Sequence, residues 1–253
     1  MSARNNPVAA RASPLLCYVT DRHGLAVANP ADSIEALIRK IAEVAAAGVD
    51  WVQIREKDLT AGQLASLTRQ ALRTAAKSSA ECSSSIRVLV NDRLDVAIAE
   101  RTGGVHLGER SLSAEDAKRL SRLRLGEPHG SEGFLTGVSC HSLESAKAAE
   151  RSGADYIFFG PIFATPSKQG FGPSQGTKRL QQVCRAVSIP VLAIGGVTLD
   201  SAAACLNAGA AGLAAIRLFQ DAPDTVFTVR QLHQLSTDFR PQSPADHIGP
   251  CRP

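Results

Sequence analysis

The sequence lacks the features that mark several large classes of protein. Aromatic residues make up 4% of its 253 residues, and no apolar stretch is long enough to cross a bilayer. The first residues have no apolar core of the kind found in signal peptides. These absences argue against a membrane-spanning or secreted protein, so we expect a reduced, cytoplasmic setting.

Paired metal-binding cysteines and dense runs of positive charge are also missing. None of the six cysteines forms a C-x-x-C pair, so neither a zinc site nor a disulfide framework is indicated. The net charge is +4, and no Lys/Arg run resembles the basic arms of nucleic-acid-binding proteins. The composition therefore indicates no nucleic-acid partner and suits small anionic substrates without requiring them.

Strand and helix patterns alternate along most of the chain. Apolar residues make up 44% of the sequence, with Ala, Val, Ile and Leu prominent, as in helices packed on a parallel sheet. Strand-like runs occur at 15–20, 51–54, 86–90, 104–107, 135–138, 156–159, 188–192 and 211–216. Eight such units predict an α/β fold, a single (β/α)8 TIM barrel over residues 14–237. Residues 1–13 and the Pro-rich 238–253 are predicted to be short disordered tails.

An open doubly wound sheet is the competing architecture. That fold usually carries a glycine-rich fingerprint after its first strand, whereas Thr20-Asp21-Arg22-His23 stands there in this chain. The barrel is therefore favoured.

A glycine pair follows the seventh strand pattern. Gly195 and Gly196 precede a helix-like segment that begins near Ser201. Glycine lets a ligand approach the backbone closely, and the amides of a following helix favour an anion such as phosphate. A tight turn between strand and helix explains the pair equally well on local sequence alone.

Polar and cationic residues follow several of the predicted strands. Arg55 and Lys57 follow the second strand, Asn91 and Asp92 the third, and Lys168 the sixth. Because the carboxyl ends of barrel strands form one rim, we expect these side chains to converge. Arg55 and Lys57 could pair with Asp92 or other acids in a structural ion network, but the convergence of the whole set favours a binding site. A carboxylate among cations is consistent with Mg²⁺ bridging a pyrophosphate group.

Six successive motifs resemble those of the thiamine phosphate synthase family, which includes a thiazole tautomerase branch. The resemblance covers about residues 15–235. The motifs are Q-I-R-E-K-D at 53–58, V-N-D-R-L-D at 90–95, G-V-H-L-G at 104–108, G-V-S-C-H-S-L-E at 137–144, A-D-Y-I-F-F-G-P-I-F-A-T-P-S-K at 154–168 and I-P-V-L-A-I-G-G-V-T at 189–198.

This resemblance implies an enzyme that joins hydroxymethylpyrimidine diphosphate to a plain or carboxylated thiazole phosphate. The products are thiamine phosphate and pyrophosphate, with CO₂ when the thiazole carries a carboxylate. The implied cofactor is Mg²⁺, and the implied partners are these small molecules.

The resemblance also implies roles for individual residues. The implied catalytic cations are Arg55, Lys57 and Lys168. The implied contacts to the pyrimidine diphosphate are Gln53, Ile54, Arg55, Glu56, Lys57, Asn91, Ser139 and Lys168. The implied contacts to the thiazole phosphate are Thr165, Pro166, Ser167, Gly196, Ile216 and Arg217. Asp92 is the implied Mg²⁺ ligand.

Two positions depart from the family pattern. Ser111 stands where the family usually has a second metal-binding aspartate, and serine is a poorer Mg²⁺ ligand than a carboxylate. Arg217 stands where the family commonly has serine, and its guanidinium suits phosphate oxygens. These departures keep two alternatives open.

The first alternative is a metal-independent thiazole tautomerase that uses His141 as a proton shuttle, and the second is a degenerate barrel that binds thiamine precursors without turnover. Neither Cys140 nor any other covalent nucleophile is needed for the transfer reaction. The oligomeric state stays open, although barrels of this size often form homo-oligomers.

Overall fold

The computed structural model describes residues 13–80, 86–125, 133–165 and 174–235. Eight parallel strands form a closed barrel in chain order, and β1 pairs with β8 to complete it. The strands are β1 (Leu15–Val19), β2 (Trp51–Ile54), β3 (Arg87–Asn91), β4 (Gly104–Leu107), β5 (Leu135–Cys140), β6 (Tyr156–Phe159), β7 (Val191–Ile194) and β8 (Gly212–Ala215). The predicted TIM barrel is confirmed, and the open sheet is wrong.

Helices connect the strands and cover the outside of the barrel. They are α1 (Ser33–Ala46), α2 (Ala61–Ala80), α3 (Leu94–Ala99), α4 (Ala114–Leu125), α5 (Leu143–Arg151), α6 (Gly176–Ala186), α7 (Leu199–Asn207), α8 (Arg217–Gln220) and α9 (Thr225–Gln234). In α1, Leu37, Ile41 and Val44 are fully buried at the spacing of one helix face. Among the helices described, none combines the length and apolarity that a membrane span requires.

Apolar side chains form two layers because successive strand residues point to opposite faces. Alternate residues such as Cys17, Leu89, Phe158 and Leu192 fill the barrel interior. Their sequence neighbours pack outward against the helices in a second, larger cluster that includes Ile54. A side chain on a strand therefore reaches the mouth only if it belongs to the inward set.

Several local boundaries differ from the sequence-based expectation. Strand β5 continues to Cys140, so Ser139 lies within the strand and not after it. The short helix α8 was not predicted, because four residues are too few to show a helical period. Ser113 caps the start of α4, since its hydroxyl accepts a hydrogen bond from Asp116 N at 3.1 Å. Asp32 occupies the first position before α1 but makes no side-chain cap.

The predicted tails fall almost entirely on residues 1–12 and 236–253, which lie outside the described residues. The limits of the barrel at 14 and 237 therefore stay a prediction.

Contacts between the first and last parts of the chain reinforce the closure of the barrel. The buried Lys40 on α1 donates to Thr225 Oγ1 on α9 at 3.2 Å and to Glu43 at 3.0 Å. Tyr18 on β1 donates to Gln220 Oε1 on α8 at 2.9 Å. Lys40, Tyr18, Thr225 and Gln220 are buried, so the contacts to α8 and α9 satisfy hydrogen bonds that water cannot supply.

Candidate active site

The carboxyl ends of β2, β3 and β4 carry a connected set of polar side chains. Gln53 Nε2 donates to Asn91 Oδ1 at 2.9 Å, and Asn91 Nδ2 donates to Asp92 Oδ2 at 3.2 Å. Gln53 is almost fully buried, and its Oε1 has no hydrogen-bond partner among the residues that the structure describes. The structure thus brings three predicted site residues together in one network.

Asp92 is held in an uncommon backbone conformation beside Ser111. Its φ of +59° lies in the left-handed region, and its amide donates to the carbonyl of His106 at 2.8 Å. Oδ1 of Asp92 accepts from Gly108 N at 2.7 Å and from Ser111 Oγ at 2.6 Å. Asp92, the predicted Mg²⁺ ligand, and Ser111, which stands where the family usually has a second aspartate, are therefore neighbours.

Arg55 and Lys57 are neighbouring cations after β2, and neither forms an ion pair in the described part of the chain. The oxygens of Asp92 accept hydrogen bonds from Ser111, Gly108 and Asn91. Repulsion from Arg55 is the main cause of a lowered pKa at Lys57, with burial second, while Asp92 opposes the shift. The proposed structural ion network with Asp92 is thus absent among the described residues.

Ile54 and Glu56 point away from the barrel interior. Ile54 is fully buried in the outer apolar layer. The carboxylate of Glu56 accepts hydrogen bonds from Thr20 Oγ1 at 2.6 Å and from the guanidinium of Arg22 at 3.0 Å. Thr20 Oγ1 in turn accepts from Arg55 N at 2.9 Å. Any substrate contact of Ile54 or Glu56 therefore stays a prediction, while Glu56 demonstrably anchors the loop that carries the two cations.

Arg22 and Asp58 form a cluster with Glu56 that the sequence does not indicate. Arg22 also bonds to Asp58, and this contact holds the pKa of Asp58 well below its usual range. The sequence gives little signal for this cluster, because Arg22 and Glu56 are brought together only by the neighbouring positions of β1 and β2.

Ser139 faces the mouth and is bonded to a buried histidine. His106 Nε2 lies 2.9 Å from Ser139 Oγ, and His106 Nδ1 lies 3.2 Å from Tyr156 Oη. The His106 ring also stacks on Phe158, with ring centres 4.1 Å apart. In the sequence, His106 stands out only as part of the motif G-V-H-L-G, and Tyr156 resembles any packed strand aromatic.

His141 and Cys140 stand at the end of β5. His141 Nδ1 lies 2.5 Å from the carbonyl oxygen of Gly160. Burial raises the pKa of the Cys140 thiol to about 12, so the thiol is uncharged near neutral pH. This agrees with the interpretation of Cys140 as a packing residue, because the thiolate is the reactive form.

The ends of β6 and β7 are joined through their backbones. Ile162 N donates to Ile194 O at 2.9 Å, and Phe163 N donates to Gly195 O at 3.0 Å. Gly196 has a φ of +66°, and a Cβ added there would lie 2.6 Å from the carbonyl oxygen of Ala164. The glycines are therefore required for the turn to pack against the loop after β6.

The amides at the start of α7 are partly used by the helix itself. Thr198 Oγ1 accepts from Ser201 N at 3.3 Å, and Ser201 Oγ accepts from Thr198 N at 2.9 Å in a capping box. Fewer amides are thus available to an anion than the sequence suggested.

The remaining residues predicted to contact the thiazole phosphate lie on two segments, one after β8 and one after β6. Ile216 is half-buried and packs against the interior layer, and the exposed Arg217 begins α8. Thr165 is half-buried at the end of the described loop. Pro166, Ser167 and Lys168 lie outside the described residues, so their roles stay predictions.

Comparison with known proteins decides the family. The sequence profile described as thiamine monophosphate synthase matches residues 24–219, which is more than half of the chain. The chain belongs to this family. Within it, the chain is 37% identical over 196 residues to the thiamine-phosphate synthase of Methanocella arvoryzae, covering 77% of this chain and 85% of that relative. It is 35% identical over 233 residues to the thiamine-phosphate synthase of a Roseiflexus species, covering 92% and 89%.

Solved structures agree with this placement in the thiamine monophosphate synthase family. The thiamine phosphate pyrophosphorylase of Pyrococcus furiosus superposes with a TM-score of 0.70 at 26% identity, covering 91% of this chain and 96% of that one. The 3-hexulose-6-phosphate synthase of Salmonella typhimurium superposes with a TM-score of 0.60 at 12% identity, covering 87% and 97%. At that identity the second likeness shows the fold alone.

Proposed function

We propose that the chain is a thiamine-phosphate synthase, a transferase that joins a pyrimidine diphosphate to a thiazole phosphate. The relatives that align with this chain over most of their lengths are named thiamine-phosphate synthases, which supports this function. The observation that carries the proposal in the structure is the pair of neighbouring cations Arg55 and Lys57, which repel each other and form no ion pair among the described residues. Two neighbouring cations cost free energy unless an anion joins them, and a diphosphate supplies that anion.

The residues around Asp92 are compatible with Mg²⁺. Asp92 and Ser111 present a carboxylate and a hydroxyl 2.6 Å apart, and Mg²⁺ prefers oxygen ligands. No group of three or more metal-binding side chains occurs within the described ranges, so the protein alone supplies few ligands. This matches the habit of Mg²⁺, which commonly takes one or two carboxylates together with substrate phosphates and water. When bound, the ion would neutralise negative charge on the diphosphate.

The proposed reaction breaks a carbon–oxygen bond and forms a carbon–nitrogen bond. Pyrophosphate leaves the methylene carbon of the pyrimidine with the bonding electron pair, and the resulting cation is stabilised by resonance. The thiazole nitrogen then donates its lone pair to that carbon. Arg55 and Lys57 stabilise the charge that develops on the leaving pyrophosphate, and Lys168 is proposed to assist them.

The other residues are proposed to position the two substrates. Gln53, Asn91 and Ser139 line the diphosphate side, and the unpartnered Oε1 of Gln53 offers an acceptor to the pyrimidine. Thr165, Pro166, Ser167, Gly196, Ile216 and Arg217 are proposed to hold the thiazole phosphate opposite them. Fixing both reactants in one site converts a bimolecular step into an effectively unimolecular one.

A direct assay tests the proposal. The purified full chain is given both precursors, with and without Mg²⁺, and pyrophosphate release is followed together with thiamine phosphate formation. Mg²⁺-dependent release coupled to product formation is expected. Thiazole isomerisation without release would show a tautomerase instead, and tight precursor binding without turnover would show a binding protein.

A further inference from the structure

A tyrosine, a histidine and a serine form a line of hydrogen-bonding groups through the barrel. Tyr156 Oη lies 3.2 Å from Nδ1 of His106, and Nε2 of His106 lies 2.9 Å from Ser139 Oγ. Tyr156 and His106 are buried, with 0% and 1% of their surface exposed, while Ser139 is half-buried at the mouth. The orientation of the buried hydrogen bonds therefore decides what Ser139 offers to a ligand.

The tyrosine hydroxyl fixes the direction of the first hydrogen bond. Burial raises the pKa of Tyr156 well above its usual value, so the hydroxyl keeps its proton. Within the described ranges, His106 Nδ1 is the hydrogen-bond partner of this hydroxyl. An unpaired buried O–H is costly, so the hydroxyl donates to Nδ1.

The direction of the second hydrogen bond follows from the tautomer of the histidine. A neutral imidazole that accepts at Nδ1 carries its proton on Nε2. Nε2–H then donates to Ser139 Oγ. Ser139 has no further partner in the part of the chain that the structure describes, so its own O–H is directed to the mouth.

We propose that Tyr156 and His106 are positioning residues that hold Ser139 as a hydrogen-bond donor toward an anionic oxygen of the diphosphate substrate. The identity of this ligand rests on the proposed function, whereas the polarity of Ser139 does not. A diphosphate oxygen only accepts hydrogen bonds, so it is matched by a serine that donates. A serine held in the opposite sense would offer lone pairs and would repel the same oxygen.

The tautomer of His106 is the first test. Long-range ¹H–¹⁵N NMR of the ¹⁵N-histidine-labelled full chain distinguishes a proton on Nε2 from one on Nδ1. The His106 signals are assigned by their loss in His106→Gln. The Nε2–H tautomer is expected at neutral pH, and either the Nδ1–H tautomer or an imidazolium would overturn the proposal. This measurement uses the unaltered protein, so it decides even if a tyrosine variant fails to fold.

Binding of inorganic pyrophosphate is the second test, measured by calorimetry with Mg²⁺ present. Ser139→Ala is expected to weaken binding about tenfold, the loss of one hydrogen bond to a charged group. Tyr156→Phe keeps the ring but frees His106 to change tautomer, and is expected to weaken binding about threefold.

Tyr18→Phe is the matched control for Tyr156→Phe. Tyr18 is the other tyrosine of the chain, is also fully buried, and packs in the outer apolar layer, where it donates to Gln220. Its variant loses one buried hydroxyl and is expected to bind pyrophosphate as the unaltered chain does. Unchanged binding in Tyr156→Phe, or an equal loss in both variants, would overturn the proposal.

The turnover assay separates this inference from the proposed function. Tyr156→Phe is expected to raise KM for the pyrimidine diphosphate and to leave KM for the thiazole phosphate unchanged. If the unaltered chain forms no thiamine phosphate while the tautomer and pyrophosphate results hold, the proposed function alone is wrong. If turnover occurs but the Tyr156→Phe chain matches the unaltered one in pyrophosphate affinity, the positioning role alone is wrong.

Discussion

The two sides of the barrel mouth are built by different means. On the side formed by the ends of β2 to β5, which we call the side-chain half, Gln53, Asn91, Asp92 and Ser111 are joined by side-chain hydrogen bonds. On the side formed by the ends of β6 to β8, the backbone half, carbonyl and amide groups join the loops after β6 and β7. The geometry of the side-chain half can therefore be altered by changing functional groups. The geometry of the backbone half responds mainly to substitutions that change backbone freedom.

The largest expected effect comes from removing the charge of Asp92. Asp92→Asn keeps a side-chain oxygen for Ser111 and Gly108 but loses the carboxylate proposed to bind Mg²⁺. We expect kcat/KM to fall about 100-fold or more, since a metal ion contributes several kcal/mol to charge stabilisation. Pyrophosphate release measured across Mg²⁺ concentrations tests this.

Asp95→Asn provides the control, because Asp95 is an exposed acid three residues away that pairs with Arg93. If Asp92→Asn keeps its full rate at ordinary Mg²⁺ concentrations, the proposal that the side-chain half binds Mg²⁺ is wrong.

The next largest effect is expected at Lys57. Lys57→Gln removes one of the two neighbouring cations while keeping a polar side chain. The apparent affinity for the pyrimidine diphosphate should fall roughly 10- to 100-fold, the range for a hydrogen bond to a charged group. KM for each substrate, measured separately, shows whether the loss is confined to the side-chain half.

Arg39 is a suitable comparison for Lys57, because it is an exposed cation on α1 that pairs with Glu35. Arg39→Gln should leave both KM values unchanged. An equal loss in the two variants would mean that net charge, and not position, governs binding.

The backbone half is tested by Gly196→Ala. The new Cβ would approach the carbonyl oxygen of Ala164 in a left-handed conformation. We expect the free energy of unfolding to fall by about 1–3 kcal/mol and KM for the thiazole phosphate to rise several-fold. Gly153 also has a positive φ, at +83°, but nothing lies within 4 Å of an added Cβ.

Gly153→Ala therefore carries only the conformational penalty of about 1 kcal/mol and should not change either KM. If the two glycine variants behave alike, the close packing of the loops after β6 and β7 has no role in binding.

The smallest effect is expected from Ser111→Asp. Two carboxylates would then stand side by side in the side-chain half, and each repels the other until a cation joins them. We expect the Mg²⁺ concentration for half-maximal rate to fall roughly fivefold, because the charge of the ligands tunes affinity for the ion. Thermal unfolding with and without Mg²⁺ gives a second measure, and an unchanged response to Mg²⁺ in both would place Ser111 outside the metal site.

The contrast between the halves also explains what the sequence could predict. Strands such as β4 and β6 were located without error because each is a short apolar run bounded by glycine or a turn. The residues that end neighbouring parallel strands must meet at one rim, so the convergence of Gln53 with Asn91 follows from the fold alone.

Contacts that depend on distant parts of the chain could not be predicted in this way. The pairing of Arg22 with Glu56 requires the lateral order of β1 and β2, and the orientation of Glu56 depends on where β2 ends. The bond between His106 and Tyr156 joins strands that are two apart in the barrel. The close approach of Gly196 to Ala164 involves backbone atoms, which leave no pattern in residue type.

The contacts between the first and last parts of the chain have a consequence for biosynthesis. Lys40 and Tyr18 are made early by the ribosome, but their partners Thr225 and Gln220 come roughly 180 to 200 residues later. Until those residues emerge, the Lys40 ammonium group has Glu43 but not Thr225, the Tyr18 phenol lacks Gln220, and β1 lacks its neighbour β8. The last-made segment must therefore fold together with the first, and a chain cut before residue 212 lacks β8 and should expose β1 to self-association.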